Sequence, residues 1–311
     1  MTSFSNSISS VLVIVLLTSM GYLVGTLGWM RREHKSFFTK FITYIAIPCT
    51  CINGLTTNLT VDMLRSAPRL LLTGVTGIVL MLTLAFGASK LLRLPRRRAG
   101  IFVLMCGVSN AIFIGYPMCM ELFGEDAIPY VMLYYLCNTS FLQSVGFALA
   151  EYSGGADMRF SPRTLLHVLK KPPVIALGIG LLLVFLEVEL PSFLASSIRY
   201  MSDTVSPLAL IYTGFIIYEI GLRNLRILPG IPTVLAFRFV LSPLLTVGLC
   251  ALFGVEGLAR SVFIAEMSMP VVTQSVVMAG EFGGDEQFAA MGAAVTTLLT
   301  FVAMPLIMAV T

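Results

Sequence analysis

The 311-residue chain is too apolar to fold as a water-soluble globule. Hydrophobic residues make up 57% of it and charged residues only 12%, whereas a soluble domain carries roughly 25% charged residues. Mean hydropathy is +0.92. The net charge of +4 comes from short stretches between apolar runs, so it gives no indication of a nucleic-acid partner. The composition indicates a chain whose outer surface faces lipid.

Long uncharged windows predict membrane-spanning helices along the chain. Residues 1–30, 41–61, 70–89, 99–120, 127–150 and 287–311 contain no Asp, Glu, Lys or Arg. A spanning helix needs roughly 20 apolar residues, and a membrane β-barrel would show short alternating segments instead. In chain order, the ten predicted spans are 8–30, 37–55, 68–89, 99–120, 127–151, 172–190, 192–222, 228–253, 259–281 and 286–310. The predicted fold class is an all-α membrane protein with ten transmembrane helices.

The sequence predicts neither a metal centre nor an enzyme. The six cysteines lie in predicted spans, and His34 and His167 lie in predicted loops without other ligands nearby. Zinc sites need closely spaced Cys and His ligands. A phosphate-binding loop and a nucleophile paired with a base are also missing from the sequence. We therefore expect no catalytic residues, no metal and no cofactor.

Lysine and arginine residues are concentrated in alternate loops. The loops after spans 1, 3, 5 and 7 carry fourteen of them, whereas the opposite side carries three: Arg65, Arg69 and Arg260. Because cytoplasmic loops are enriched in Lys and Arg, the first set is predicted to be cytoplasmic and both termini non-cytoplasmic. We expect a multi-pass protein of the cell inner membrane, with residues 152–171 as a cytoplasmic linker.

The two halves of the chain share landmarks at one constant offset. Pro48 and Pro207 lie in the second span of each half, and a Phe-Gly-x-Asp turn follows the fourth span of each half. We expect a first five-helix repeat at 1–151 and a second at 172–311. Because five is odd, the second repeat inserts upside down relative to the first. Inverted repeats are typical of secondary transporters, whose substrate sites lie at the midplane between the repeats.

Proline and polar residues interrupt the middle of spans 4 and 9. Span 4 contains Asn110 and then Pro117, and span 9 contains Pro270 and then Gln274. Proline removes an amide donor and bends or breaks a helix. The first turn of each second half-helix would then present free N–H groups and partial positive charge. Two such ends crossing at the midplane would bind a carboxylate, and the alternative is two kinked helices that only pack.

Polar residues at these interruptions and in span 5 are the candidate substrate-binding residues. They are Ser109, Asn110, Pro117, Asn138, Pro270, Thr273 and Gln274. For the side-chain amides, the alternative role is an interhelical hydrogen bond.

Glu266, one turn before Pro270, is the candidate coupling residue. A carboxyl group inside a membrane is costly and is commonly functional, and this one could carry a proton through the transport cycle. The alternative role is an ion pair with a cation such as Arg238 in span 8.

Motifs along nearly the whole chain carry a family resemblance. They are Ile47-Pro48, Ser109-Asn110 through Gly115-Tyr116-Pro117, Lys171-Pro172-Pro173, Ser206-Pro207-Leu208-Ala209-Leu210, and Met269-Pro270 followed by Phe282-Gly283-Gly284-Asp285. In these motifs the chain resembles the auxin efflux carrier family of permeases, which includes malonate-transporter-like bacterial members.

The resemblance implies two inverted five-helix repeats with crossing broken helices 4 and 9. It places Asn110 and Pro117 on the helix 4 crossing and Pro270 on the helix 9 crossing. It also implies elevator-type alternating access and carboxylate substrates. Glu266 stands where a small apolar residue is expected, which leaves the substrate charge and the coupling ion open.

We therefore predict a secondary active transporter of a small organic anion. Coupling to protons or to sodium ions is left open. The first alternative is a sodium-coupled symporter of the bile-acid-transporter-like fold, and the second is a membrane sensor without transport. Gly21 and Gly25 form a G-xxx-G pair, which allows close helix contact either within the chain or in a homodimer.

Overall fold

A computed structural model describes residues 2–58, 61–155, 170, 172–221 and 228–310. Within these ranges every regular element is helical, apart from one isolated β-bridge. The all-α prediction is therefore confirmed for the described part of the chain. Most of the expected linker at 152–171 lies outside the described residues.

The helical segments are numbered here in chain order, with letters for the halves of an interrupted helix. They are α1 (Thr2–Thr26), α2 (His34–Phe41 and Ile47–Asn58), α3 (Val61–Leu91), α4a (Arg96–Gly107), α4b (Tyr116–Phe123), α5 (Ile128–Phe141 and Phe147–Ser153), α6 (Pro172–Phe185), α7a (Ser192–Asp203), α7b (Val205–Ile220), α8 (Ile231–Ala236 and Ser242–Phe253), α9a (Gly257–Met267), α9b (Gln274–Phe282) and α10 (Glu286–Val310). Each predicted span overlaps one of these segments.

Three of the described helices are long and apolar enough to cross a membrane. They are Ala67–Leu91, Ile231–Phe253 and Glu286–Val310. Shorter apolar helices include Val15–Thr26, Ala111–Phe123 and Pro172–Phe185. Helices 4 and 9 are each divided in two, so neither forms one uninterrupted span.

Wide π-helical turns lie within or beside four of the segments. They are Ile42–Ala46 in α2, Ala111–Gly115 before α4b, Leu142–Gly146 in α5 and Phe237–Leu241 in α8. Three of them end shortly before a proline, which is Pro48, Pro117 or Pro243. A proline ring clashes with the carbonyl group four residues earlier, and that carbonyl lies inside the π turn in all three cases. The wider turn moves the carbonyl group away from the ring, so the helix continues past the proline.

The helices form two groups, each with its own hydrophobic cluster. In the four-helix bundle, α1 packs on α7b, and α2 packs on α6 and α7a, around side chains such as Ile42 and Leu210. In the crossing bundle, α3, α4a, α5, α8, α9 and α10 surround Phe102, Phe263 and Phe288. The second half of helix 4 contacts α1 and α7b and so joins the two groups.

Helices α1 and α7b approach each other closely at two glycines. A Cβ atom on Gly21 would collide with the carbonyl oxygen of Ile211, and one on Gly214 would collide with that of Thr18. Gly25 packs against the ring of Tyr218. The contact expected of the Gly21/Gly25 pair therefore forms within the chain, between its two halves.

Candidate functional site

Helix 4 is interrupted between Gly107 and Ala111. Val108 is extended, with φ −116° and ψ 131°, and Asn110 has φ −84° and ψ 64°. Pro117, which was expected on the crossing, lies in the first turn of α4b instead. The preceding π turn accommodates the Pro117 ring, so this proline does not break the helix.

Helix 9 is interrupted between Met267 and Gln274. Ser268 leaves the helical conformation at φ −90° and ψ 0°, and the chain becomes helical again at Gln274. Pro270 lies buried in this stretch. Because proline has no backbone N–H group, it leaves no buried donor without an acceptor. The interruption expected around Pro270 is therefore present in the structure.

The two interruptions cross and pair with each other. Ser109 and Val271 form an isolated antiparallel β-bridge. The backbone N–H of Asn110 donates to the carbonyl oxygen of Pro270 over 2.9 Å, and the side-chain Nδ2 of Asn110 donates to Thr273 Oγ1 over 3.0 Å. Backbone groups freed by the two breaks thus satisfy each other, as they must in a low-dielectric interior.

Side chains from α5 fix the helix 4 interruption. Asn138 Oδ1 accepts a hydrogen bond from the backbone N–H of Ser109 over 3.1 Å, and Asn138 Nδ2 donates to the Ser109 carbonyl oxygen over 2.8 Å. The hydroxyl groups of Ser109 and Tyr134 are 2.8 Å apart. The Asn138 amide therefore forms the two hydrogen bonds that a neighbouring β-strand would otherwise form with the Ser109 backbone.

A side chain from α10 supports the helix 9 interruption in a comparable way. The backbone N–H of Val271 donates to Thr296 Oγ1 over 3.1 Å, and the Thr296 hydroxyl donates to the Gly292 carbonyl oxygen over 2.7 Å. The last helix of each half thus holds the extended segment of its own half.

A cavity of about 420 Å³ lies beside the crossing. Four of the predicted binding residues line it: Ser109, Asn110, Asn138 and Gln274. Helical structure resumes after the interruption with the π turn that leads into α4b, and Ala111, Ile112 and Phe113 of this turn also line the cavity. The aromatic side chains of Tyr44, Tyr135 and Tyr212 line it as well. The amide groups of a first helical turn have no acceptor within that helix. The start of a half-helix therefore contributes to the wall of the cavity.

The described residues that line the cavity include basic residues and no acidic one. The basic residues are Lys35 and Lys40, both in the segment His34–Phe41 of α2. The Nζ atom of Lys35 is 2.7 Å from a carboxylate oxygen of Glu219, and Lys40 is exposed. The fixed charge around the cavity therefore favours an anion.

The other predicted binding residues lie outside the cavity lining. Pro270 contributes its carbonyl group to the crossing, and Thr273 accepts the Asn110 side-chain hydrogen bond. These two residues shape the site without facing the cavity, and Pro117 belongs to α4b.

Glu266 is fully buried at 0% exposure near the end of α9a. Cys119 Sγ lies 3.5 Å from Glu266 Oε1, and the carboxyl group packs against Gly115 of helix 4. Oε2 has no hydrogen-bond partner among the described residues.

The structure does not form the alternative ion pair between Glu266 and Arg238. In the part of the chain that the structure describes, the guanidinium group of Arg238 donates to the backbone carbonyl groups of Cys106, Met267 and Met269 instead. These carbonyl groups lie where the first halves of helices 4 and 9 end, and the partial negative charge at a helix C-terminus attracts a cation.

The sequence analysis did not identify three side chains that stabilise the crossing. They are Tyr134, Thr296 and Arg238, whose hydrogen bonds to backbone carbonyl groups were not predicted. A hydroxyl group inside an apolar helix gives no local signal of its partner. Arg238 does give a signal, since an arginine in the middle of a long apolar run needs a specific partner.

Interrupted helices that pair beside a ligand-sized cavity are typical of helical membrane transporters. Residues 6–308 match the family model described as membrane transport protein. The chain belongs to this family, which is the auxin efflux carrier family.

Two archaeal relatives agree with this membership. The chain is 25% identical over 301 residues to an uncharacterized transporter of Methanocaldococcus jannaschii, covering 95% of this chain and 96% of that one. It is 26% identical over 316 residues to an uncharacterized transporter of Methanothermobacter thermautotrophicus, covering 97% and 98% of the two chains.

Proposed function

We propose that the protein is a secondary active transporter of a small organic anion, and that the substrate is a mono- or dicarboxylate. The observation that carries the proposal is the cavity at the crossing. Its wall includes Asn110, Gln274 and the first helical turn after the helix 4 interruption. Helix N-termini attract anions. Lys35 and Lys40, which also line the cavity, add positive charge to its wall.

The size of the cavity fits this class of substrate. About 420 Å³ lies toward the small end of the range of ligand pockets, roughly 300–1,000 Å³. Its wall combines aromatic and aliphatic side chains with a few amide groups, which suits a carboxylate attached to a short apolar body.

Ion pairs that join loop residues to helix ends support the proposed topology. Arg98 lies in the first turn of α4a and Asp285 directly precedes α10, and their side chains are 2.7 Å apart. Arg32 and Lys35, in the loop after α1, both pair with Glu219 at the end of α7b. Loops assigned to the cytoplasmic side thus contact one another. We propose two inverted five-helix repeats in the cell inner membrane, with both termini non-cytoplasmic and the cavity open toward the cytoplasm.

The division into two bundles supports elevator-type alternating access. The paired interruptions, with Asn138 and Thr296 that hold them, all lie in the crossing bundle. The proposed motion carries this bundle past the four-helix bundle, and the substrate moves with the crossing. Glu266 is the proposed proton-coupling residue.

Transport in proteoliposomes tests the proposal. Purified protein is first screened with small mono- and dicarboxylates for ligands that raise the melting temperature, since a ligand stabilises the state that binds it. Uptake of the best ligand is then measured for the wild type, for Asn110→Ala and for the matched control Asn53→Ala. Asn53 lies in α2 and outside the cavity lining.

We expect uptake by the wild type and by Asn53→Ala, and a loss of at least tenfold for Asn110→Ala. Unchanged uptake by Asn110→Ala would remove this residue from the site. If no carboxylate is bound or transported, the proposed substrate class is wrong.

A further inference from the structure

Arg238 is among the largest fully buried side chains of the described residues, with 1% of its surface exposed. It lies on the π turn Phe237–Leu241 of α8. Its Nε donates to the carbonyl oxygen of Met269 over 2.8 Å, and Nη1 donates to that of Cys106 over 3.1 Å. Nη2 donates to the carbonyl oxygens of Met267 and Met269 over 2.7 Å and 2.6 Å. All three guanidinium nitrogens therefore bind backbone carbonyl groups.

These carbonyl groups mark the negative ends of two half-helices. Cys106 lies in the last turn of α4a and Met267 is the last residue of α9a, while Met269 lies in the interruption that follows. The C-terminal end of a helix carries a partial negative charge. Where broken helices cross in transporters, such ends and unwound carbonyl groups coordinate cations. The Arg238 guanidinium therefore occupies the position that the backbone prepares for a cation.

The surroundings of Arg238 complete this cation site. Among the described residues no carboxylate forms an ion pair with Arg238, so the carbonyl dipoles balance its charge. The Ser242 hydroxyl, one turn further along α8, donates to the same Met267 carbonyl oxygen over 2.6 Å. Helix α8 thus supplies both the charge and a second donor to the crossing.

We infer that Arg238 is a resident cation, which fills the cation site of the crossing and makes binding of a sodium ion there unnecessary. This part of the inference rests on the proposed function: transport of the organic anion does not depend on sodium. Removing the side chain should leave an empty site with three convergent carbonyl groups, which an added cation of the same shape can fill.

Thermal unfolding of purified Arg238→Gly tests the site without any transport measurement. We expect its melting temperature to be lower than that of the wild type by roughly 5–10 °C. Guanidinium at non-denaturing millimolar concentration should restore a large part of this loss, whereas urea, which is neutral and of similar shape, should not. Arg199→Gly is the matched control, because Arg199 is an exposed helical arginine of α7a. Its melting temperature should not respond to guanidinium.

Two further variants keep the inference falsifiable if Arg238→Gly does not fold. Arg238→Lys keeps the charge and should retain more thermal stability and more uptake than Arg238→Met, which keeps the length without the charge. Equal stability of the Lys and Met variants would overturn the inference. So would an equal effect of urea and guanidinium on Arg238→Gly.

Uptake by the wild type separates this inference from the proposed function. Replacing sodium and potassium by N-methylglucamine should leave the uptake rate and the KM unchanged. If uptake requires sodium, the resident-cation inference fails while the carrier function stands. If no carboxylate is transported but guanidinium rescues Arg238→Gly, the proposed function fails and the cation site stands.

Discussion

Asn138 binds both backbone polar groups of Ser109 through one side-chain amide, with hydrogen bonds of 3.1 Å and 2.8 Å. Ser109 and Asn138 are both buried beside the cavity, and the Asn138 amide supplies hydrogen bonds that the interrupted helix does not. The helix 4 interruption is therefore stabilised by a residue from another helix and not by a local turn motif.

Replacing Asn138 by Ala should destabilise the protein. It leaves the N–H and C=O groups of Ser109 without their partner, and each unsatisfied buried group costs about 1–3 kcal/mol. We expect a clearly lower melting temperature in detergent. The matched control is Asn53→Ala, at a half-buried position of α2. Equal melting temperatures for the two variants would show that Asn138 does not hold the interruption.

Thr296→Val should weaken the helix 9 interruption. Valine has nearly the same shape as threonine but cannot accept the hydrogen bond from the Val271 N–H. We expect a loss of about 1–3 kcal/mol in the free energy of unfolding. Thr297→Val, at the neighbouring buried position, serves as the control, and the prediction fails if it destabilises the protein as much as Thr296→Val.

Gly21→Ala should separate α1 from α7b, because the added methyl group collides with backbone rather than with a movable side chain. Gly178→Ala in α6 is the opposite case, since a Cβ there meets no atom within 4 Å. Alanine is favoured over glycine inside a helix by about 1 kcal/mol. We expect a lower melting temperature for the first variant and an equal or higher one for the second, and a reversed order would contradict the packing described here.

Gln274→Glu should weaken binding of an anionic substrate. It places a negative charge in the cavity wall, and we expect the KM for uptake to rise by roughly tenfold, equivalent to about 1.4 kcal/mol. The control is Gln287→Glu, an exposed position at the start of α10. An unchanged KM for Gln274→Glu would argue against a carboxylate in this cavity.

Glu266→Gln tests proton coupling. If the Glu266 carboxyl group carries the coupled proton, wild-type uptake should change with the pH gradient across the membrane. Glutamine cannot release a proton, so uptake by the variant should become independent of that gradient. Glu33→Gln, an exposed position before α2, should behave like the wild type. Uptake by Glu266→Gln that still follows the gradient would exclude this role.

Much of the helical fold could be predicted, because the length of an apolar run reports directly on the lipid environment. The overlap of every predicted span with a helical segment follows from that relation. Helix boundaries were less accurate, as at the end of α6, which stops at Phe185 instead of near residue 190. The distribution of apolar and charged residues in the sequence does not identify the residue at which a helix ends.

The helix 4 interruption shows why the site was harder to predict. Proline was the sequence signal, and at Pro270 it coincides with the break. Pro117 instead follows a π turn that accommodates its ring, while the break lies at Val108 to Asn110, where there is no proline. That break depends on Asn138 and on the paired segment of helix 9, and such long-range partners cannot be recognised from local sequence.

The π turns also determine how these helices should be compared with those of relatives. A π turn holds one more residue than an α-helical turn, so every side chain beyond it is rotated by about 100° relative to a continuous α-helix. A single helical wheel drawn through α2, α5 or α8 would therefore assign the wrong face to half of its residues. Gain or loss of one residue in such a turn would reorient a whole half-helix, so alignments of distant homologues should allow gaps there.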